Sequence, residues 1–421
     1  MIDGCHPQAV YTFAMSVGRR VAWLILALST GCAGLPKCPG EGGPRWTEWT
    51  SPHFRVLTDQ EDDRDAERLV SQLEYFREAI VTAAWREVPD VKRPIEVVAF
   101  RSVGEADVFL PPDSAGAFVS YLGTGTVVAP VTERVERAKI LKHELVHALT
   151  RQMGLDRNAP IWFVEGVAMY LATTTYDETS DEVTFGAVDR EALGLVAHFG
   201  RYPWPAMWSW PTKPTEQAVH EATSWLFVHY LFNHQADRFH RFQTDLAADP
   251  NARGTWAKIF PDLVDFKAVD QVLDTYLGGG EYSRYKQTIP RPRFGLASRP
   301  IPDDEVHAVR ALLFTWVVGH DESAPTRQRA ELAEALRINP LNLRARLVER
   351  FILKENIGDV EIPLALTKSS PLDWRSWVLL ASAHESRKDG PAFQAALQQA
   401  VAMGFQGSDA NAMKTQVASP H

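Results

Sequence analysis

Two histidines four residues apart, with a glutamate beside the first, lie in Lys142-His143-Glu144-Leu145-Val146-His147. On a helix, positions i and i+4 stand one above the other, so His143 and His147 present two imidazole nitrogens to one metal ion about 2.0–2.1 Å away. Glu144 falls on the flank of the same site, where it can take a proton from a metal-held water without ligating the metal. The surrounding Ile140, Leu141, Leu145, Val146, Ala148 and Leu149 make this helix apolar on nearly all sides and mark it as buried. Polar groups inside such a helix need partners, because unpaired buried polar groups are costly.

A third ligand is written downstream. Ile161 to Leu171 reads I-W-F-V-E-G-V-A-M-Y-L, with Glu165 as its one ionisable side chain. A lone carboxylate in so apolar a helix requires a cation, and the nearest is a metal held by His143 and His147; the alternative is an ion pair with Lys142 or Arg151. Gly166 beside it admits close approach of another backbone. Two imidazoles and one carboxylate suit zinc (Zn2+) better than calcium or magnesium, which prefer oxygen shells. Three protein ligands leave the fourth position for water.

H-E-x-x-H followed 18 positions later by the Glu of W-x-x-E-G-x-A, matched here by Trp162, Glu165, Gly166 and Ala168, resembles the gluzincin zinc metallopeptidases. The likeness is to the aminopeptidase N family and its "peptidase MA-like" relatives, and extends over residues 46–290. It implies zinc on His143, His147 and Glu165, Glu144 as catalytic base, and hydrolysis of peptide bonds. The aminopeptidases carry a G-A-M-E-N segment whose Glu grips the substrate N-terminus. Here the similar string, Gly116-Ala-Phe-Val-Ser120, has no carboxylate, so an endopeptidase is expected. Where those relatives place an oxyanion-stabilising Tyr, this chain has Glu221 beside His220. His220 is a candidate donor to the oxyanion, with a solvated surface histidine as its ordinary reading; His229 is expected to be a packed helix position.

The elements that must position these residues form an α+β, zincin-like domain. A strand is expected at 53–58, a long amphipathic helix at 64–85, a β-branched strand at 95–100 and a strand pair over 117–129 turning at Gly123-Thr124-Gly125. The strand pair is either a core hairpin or an edge that takes up an extended peptide. Helices follow at about 131–153 and 160–174, separated by Gly154, Asn158 and Pro160, which suit a helix end and a helix start. Helical patterns resume from about Thr215 and run to about Tyr285. A Pro-rich stretch, Ile289 to Pro302, places a domain boundary. Beyond it an all-α helical-hairpin domain is expected: Ala335-to-Asn342 and Ala365-to-Asp373 echo each other with 31 residues from Pro340 to Pro371, close to the period of tetratricopeptide-like repeats. Such arrays form concave surfaces suited to a protein partner.

Composition bounds the remaining possibilities. The chain has 421 residues, 45% apolar and 23% charged, with a net charge of −9, as in a soluble globular protein of two or three folded units. A mildly acidic chain with no dense basic stripe excludes nucleic acid as a partner. Arg19-Arg20, the apolar run Val21 to Leu28 and the small residues Ser29 to Gly31 describe a secretory signal peptide, with Met1 or Met15 as the start. Gly31-Cys32 resembles the end of a bacterial lipobox, which would anchor Cys32 to the membrane by lipid; the alternative is ordinary cleavage near Ala33. Cys5, Cys32 and Cys38 are too few for a disulfide framework, although Cys32 and Cys38 could pair. The expected layout is therefore signal peptide 1–31, flexible tether 32–45, metallopeptidase domain 46–290, linker 291–303 and helical repeats 304–421. It describes a zinc peptidase of the cell envelope or periplasm acting on a peptide or protein substrate, with a catalytically silent envelope scaffold as the alternative.

Overall fold

The computed structural model describes residues 37–85, 93–111, 116–121, 124–130, 135–155, 158–177, 179–210, 217–249, 251–355 and 359–405. The segment expected as a signal peptide, Cys5 and Cys32 lie outside them.

Strands β1 (Thr47–Thr50) and β2 (Phe54–Thr58) precede the long helix α1 (Asp63–Ala84), whose start is capped by the Asp62 side chain accepting from the Arg64 amide. Next come β3 (Ile95–Phe100), the short helix α2 (Val103–Ala106), β4 (Ala117–Tyr121) and β5 (Thr124–Pro130). With β9 (Ala297–Pro300) they form a mixed six-stranded sheet in the order β4-β5-β3-β2-β1-β9. Strands β2, β3 and β5 run parallel, while β4, β1 and β9 pair antiparallel with their neighbours. All six residues of β3 are buried, as a central parallel strand covered on both faces requires. In the β4–β5 pair, Gly125 belongs to the strand rather than the turn: a Cβ there would lie 2.2 Å from the Phe118 ring.

Alternation along the strands sends Val56, Val97, Ala99 and Val127 to one face and Leu57, Val98, Phe100 and Val128 to the other. The first face carries the helices that hold the candidate site. These are α1, α3 (Val135–Gln152) and α4 (Ile161–Ala172). The small strands β6 (Thr175–Tyr176) and β7 (Glu182–Phe185) follow, with helices α5 (Arg190–Phe199), α6 (Trp204–Trp208), α7 (Gln217–His234), α8 (Ala236–Ala248), α9 (Ala252–Ile259) and α10 (Phe266–Gly279). Trp162, on α4, packs among Trp204, Trp208, Trp256, Phe227 and Phe242, so the abundant tryptophans here are core packing. The helical stretch ends at Gly279, short of the expected Tyr285, which opens β8 (Tyr285–Thr288) against β7.

The second face of the sheet departs from the expected layout. It is covered by α11 (Asp303–Leu313), with Val306, Val309 and Leu313 in one core with Leu57, Val98 and Val128. Strand β9, inside the stretch expected as a linker, pairs with β1 from Thr47↔Pro300 to Thr50↔Ala297. The two expected domains thus share a sheet and a core. The expected tether is likewise fixed from Lys37 onward: Cys38 is fully buried, the Gly40 amide donates to Asp303, and Arg310 reaches the Cys38 sulfur at 3.0 Å.

The chain continues through α12 (Ala324–Ile338), α13 (Leu343–Leu347, extended by a wider turn at Val348–Ile352), α14 (Glu361–Ser369), α15 (Trp374–Ser386) and α16 (Gly390–Ala402). The end of α12 and the start of α13, at 338 and 343, recur at 369 and 374 in α14 and α15, each 31 residues later. Asn342 and Asp373 cap the two equivalent helices through their side chains. A mixed sheet with helices, followed by further helices, is compatible with the coarse expectation of an α+β portion and then a helical one.

Candidate metal centre

Helix α3 lies against β5 and α4, and on it His143 and His147 stand one turn apart, edge to face, with ring centroids separated by 4.6 Å. Helix α4 brings Glu165 to them. Its path depends on Gly166, where a Cβ would sit 2.6 Å from both the Ser224 carbonyl oxygen and Val228 Cγ2 of α7. Gly116 does the same for Glu144. A Cβ there would meet Ile140 Cγ2 at 2.7 Å and Glu144 Cγ at 3.5 Å, so this glycine lets the start of β4 close over the base candidate.

His147 Nε2 is 2.9 Å from His143 Nε2, and Glu165 Oε2 is 3.5 and 3.6 Å from those two nitrogens. The point equidistant from three atoms so spaced lies about 1.9 Å from each, so an ion at the 2.0–2.1 Å of zinc–nitrogen and zinc–oxygen bonds would stand just outside their plane. These three side chains are the one group of donors among the described residues arranged to hold a metal ion. A proton shared between the two imidazoles is the alternative account of their separation, and it would put one positive charge beside Glu165.

Among the described residues, the basic side chains paired with Glu165 are the two imidazoles themselves. Burial, reinforced by His147, holds the His143 imidazole down at about 4 and therefore neutral. Burial pushes the Glu165 carboxyl up, but the two imidazoles outweigh it and keep the group below the ordinary carboxylate range. The two shifts describe an ionised carboxylate between rings of which at least one is neutral, a combination that a divalent cation completes. Lys142, an expected alternative partner for Glu165, instead donates to the Thr174 carbonyl at 2.7 Å, and burial lowers its ammonium to about 8. Lys139 is paired with Asp189. Glu165 Oε1 is buried without a hydrogen-bond partner among the described residues, and the Glu144 oxygens are buried with no contact of good hydrogen-bond geometry beyond the influence of the Phe118 backbone. Burial, then Glu165 and Glu221, raise the Glu144 carboxyl well above its usual range, while the Phe118 backbone opposes them.

The three residues read as ligands thus come together, and the fourth, Glu144, lies near enough for the Glu165 charge to act on it. His220 does not behave as a solvated histidine: it is buried, with its ring stacked on Tyr202 at 3.6 Å and Trp210 at 5.0 Å between centroids. His229 is the packed position expected, bonded to Tyr276 Oη at 2.7 Å and to the Gly186 carbonyl at 3.1 Å. The residue missed as a site member is Glu221, buried on α7 and close enough to Glu144 and Glu165 for their charges to raise one another. Its signal was present in the sequence: α7, like α4, contains a single carboxylate in an otherwise uncharged apolar helix. Among the described residues no helix is long and apolar enough to cross a membrane. No model of a known protein family matches this chain, and no curated protein matches it.

Proposed function

We propose that the protein is a zinc-dependent peptidase of the gluzincin type, with His143, His147 and Glu165 as ligands and Glu144 as general base. The observation that supports this reading is the triangle of Nε2, Nε2 and Oε2 atoms, buried and sized for one ion, with the buried Glu144 carboxyl beside it. Bound zinc supplies a Lewis acid that polarises a carbonyl and makes water acidic near neutral pH. Glu144, whose carboxyl burial and the neighbouring glutamates raise above its ordinary range and so make more basic, is suited to take a proton from water and return it to the leaving amine. His143, held neutral, offers a lone pair rather than a charge.

An extended peptide as substrate is supported by β4, the last strand in its sheet, which Gly116 brings against Glu144. With no carboxylate in the Gly116 to Ser120 string, internal cleavage is the expected mode. Export to the cell envelope, lipid attachment at Cys32 and partner binding by the C-terminal tetratricopeptide-like helices belong to the same proposal. Mass spectrometry of the mature N-terminus tests the first two. For the activity, one zinc per chain and chelator-sensitive cleavage of casein are expected. Glu144→Gln should keep the zinc and lower turnover by about 10²- to 10⁴-fold. A metal-free protein, or undiminished cleavage by the variant, would overturn the assignment.

A further inference from the structure

The recurrence at 31 residues carries an exposed leucine with it. Leu341 follows Pro340 in the turn after α12, and Leu372 follows Pro371 in the turn after α14. Leu341 is 41% exposed and Leu372 80%. Both turns are built alike: the Arg346 guanidinium donates to the Pro340 carbonyl, and the Trp377 indole donates to that of Pro371. With the Asn342 and Asp373 caps, these bonds present each leucine on a fixed backbone. The two turns lie at one edge, because α13 packs on α15 and the charges of Arg344 and Arg375, each three residues beyond its leucine, act on the same buried Glu96 and on one another.

That edge is also where the N-terminal segment joins the fold. On the first turn of α11, Asp303 accepts from the Gly40 amide, and its neighbour Asp304 accepts from Asn339 and Asn342, which bracket Leu341. Glu305 in turn receives Arg344. Three carboxylates that would repel an anionic surface are therefore engaged with the protein. From Lys37 the chain leads back over five residues to Cys32, a span of at most about 17 Å. A lipid on Cys32 thus holds a bilayer within short reach of Leu341.

We propose that the turns at Leu341 and Leu372 form a membrane-docking edge, which enters the lipid interface beside the N-terminal anchor and sets how the protein stands on the bilayer. The inference rests on the reading of Cys32 as lipidated. Lipid is the occupant because the anchor supplies it at high local concentration. Exposed apolar side chains hold a membrane weakly by themselves and effectively beside a second attachment. Leucines on turns already fixed lose little freedom on entering it.

The test places an environment-sensitive fluorophore on Leu372→Cys in the mature lipidated protein, reconstituted in vesicles of phosphatidylethanolamine and phosphatidylglycerol. Lipidation occupies the Cys32 sulfur and Cys38 is fully buried, so the introduced thiol is the one labelled. Blue-shifted emission and protection from aqueous iodide are expected there, and neither for the same label on Phe199→Cys, an exposed position on α5. In a second arm the mature chain carrying Cys32→Ser is floated with the same vesicles. Its partitioning should fall about tenfold in Leu341→Ser/Leu372→Ser and stay unchanged in Phe199→Ser. Equal iodide access at the two labelled positions, or partitioning indifferent to the leucines, overturns the proposal. Self-association that the double variant abolishes, without vesicle binding, overturns it as well and assigns the edge to a second copy of the chain. A mature protein with no lipid on Cys32 in its mass spectrum rejects the anchor reading, while the flotation arm still decides whether the leucines bind lipid.

Discussion

A neutral imidazole shut into the interior makes stability sensitive to acid, and His229 is the cleanest case because it is not one of the candidate ligands. Burial lowers it to about 4 against about 6.5 in the unfolded chain. Between those values the unfolded chain binds a proton that the folded one refuses, so stability present above pH 6.5 is lost as pH falls towards 4. The Tm of the protein should therefore drop over that window, and His229→Gln should flatten the slope relative to wild type. An unchanged slope would mean that His229 is protonated in the fold. The candidate ligands were legible because their chemistry is rare in its setting: His143 and His147 share a helix face, and Glu165 is an isolated charge in an apolar segment. Glu221 obeys the same logic, yet it registered only as the occupant of a place where a tyrosine was expected. For His220 the sequence offered no cue, because its burial is created by Tyr202 and Trp210, residues 10 to 18 positions away.

At the scale of elements, the site depends on how closely α4 can approach α7. Gly166→Ala places a methyl group 2.6 Å from the Ser224 carbonyl oxygen, a backbone atom that cannot swing aside. Overpacking of this kind costs about 1–3 kcal/mol, and here it also shifts the neighbouring Glu165. A lowered Tm together with weaker zinc affinity is the expected outcome; a variant with wild-type Tm and affinity would show that the helices separate freely. Helices and buried strands were readable locally, α1 from its amphipathic spacing, β3 from its β-branched run and α4 from a continuous apolar run that is buried from Trp162 to Ala172. Strand β9 was not. Its four residues are all exposed and include a proline, so it is held by backbone pairing to β1, which leaves no trace in hydrophobic patterning.

For the molecule as a whole, the shared core makes the Pro-rich stretch a poor place to divide the chain. A protein ending at residue 290 would lack β9 and α11 and would expose Leu57, Val98, Phe100 and Val128 on an open sheet face. It should be insoluble or rapidly degraded in limited proteolysis, whereas a stable, zinc-binding 1–290 fragment would show that the second core is dispensable. The N-terminal end is fastened to the same region. Cys38 lies 3.7 Å from His307 Nδ1, which is 2.6 Å from Glu331, and these partners raise His307 to about 10 against the pull of burial. None of this was visible from residues 32–45, because every partner lies more than 260 positions away in the chain. The antiparallel pairing of Thr47 with Pro300 also has a temporal side. At roughly 5–20 residues per second of synthesis, about 13–50 s pass between the making of the first strand and that of the strand that closes it. Throughout that interval β1 lacks its outer partner and the sheet face that α11 covers stays open, which leaves the nascent chain reliant on chaperones until then.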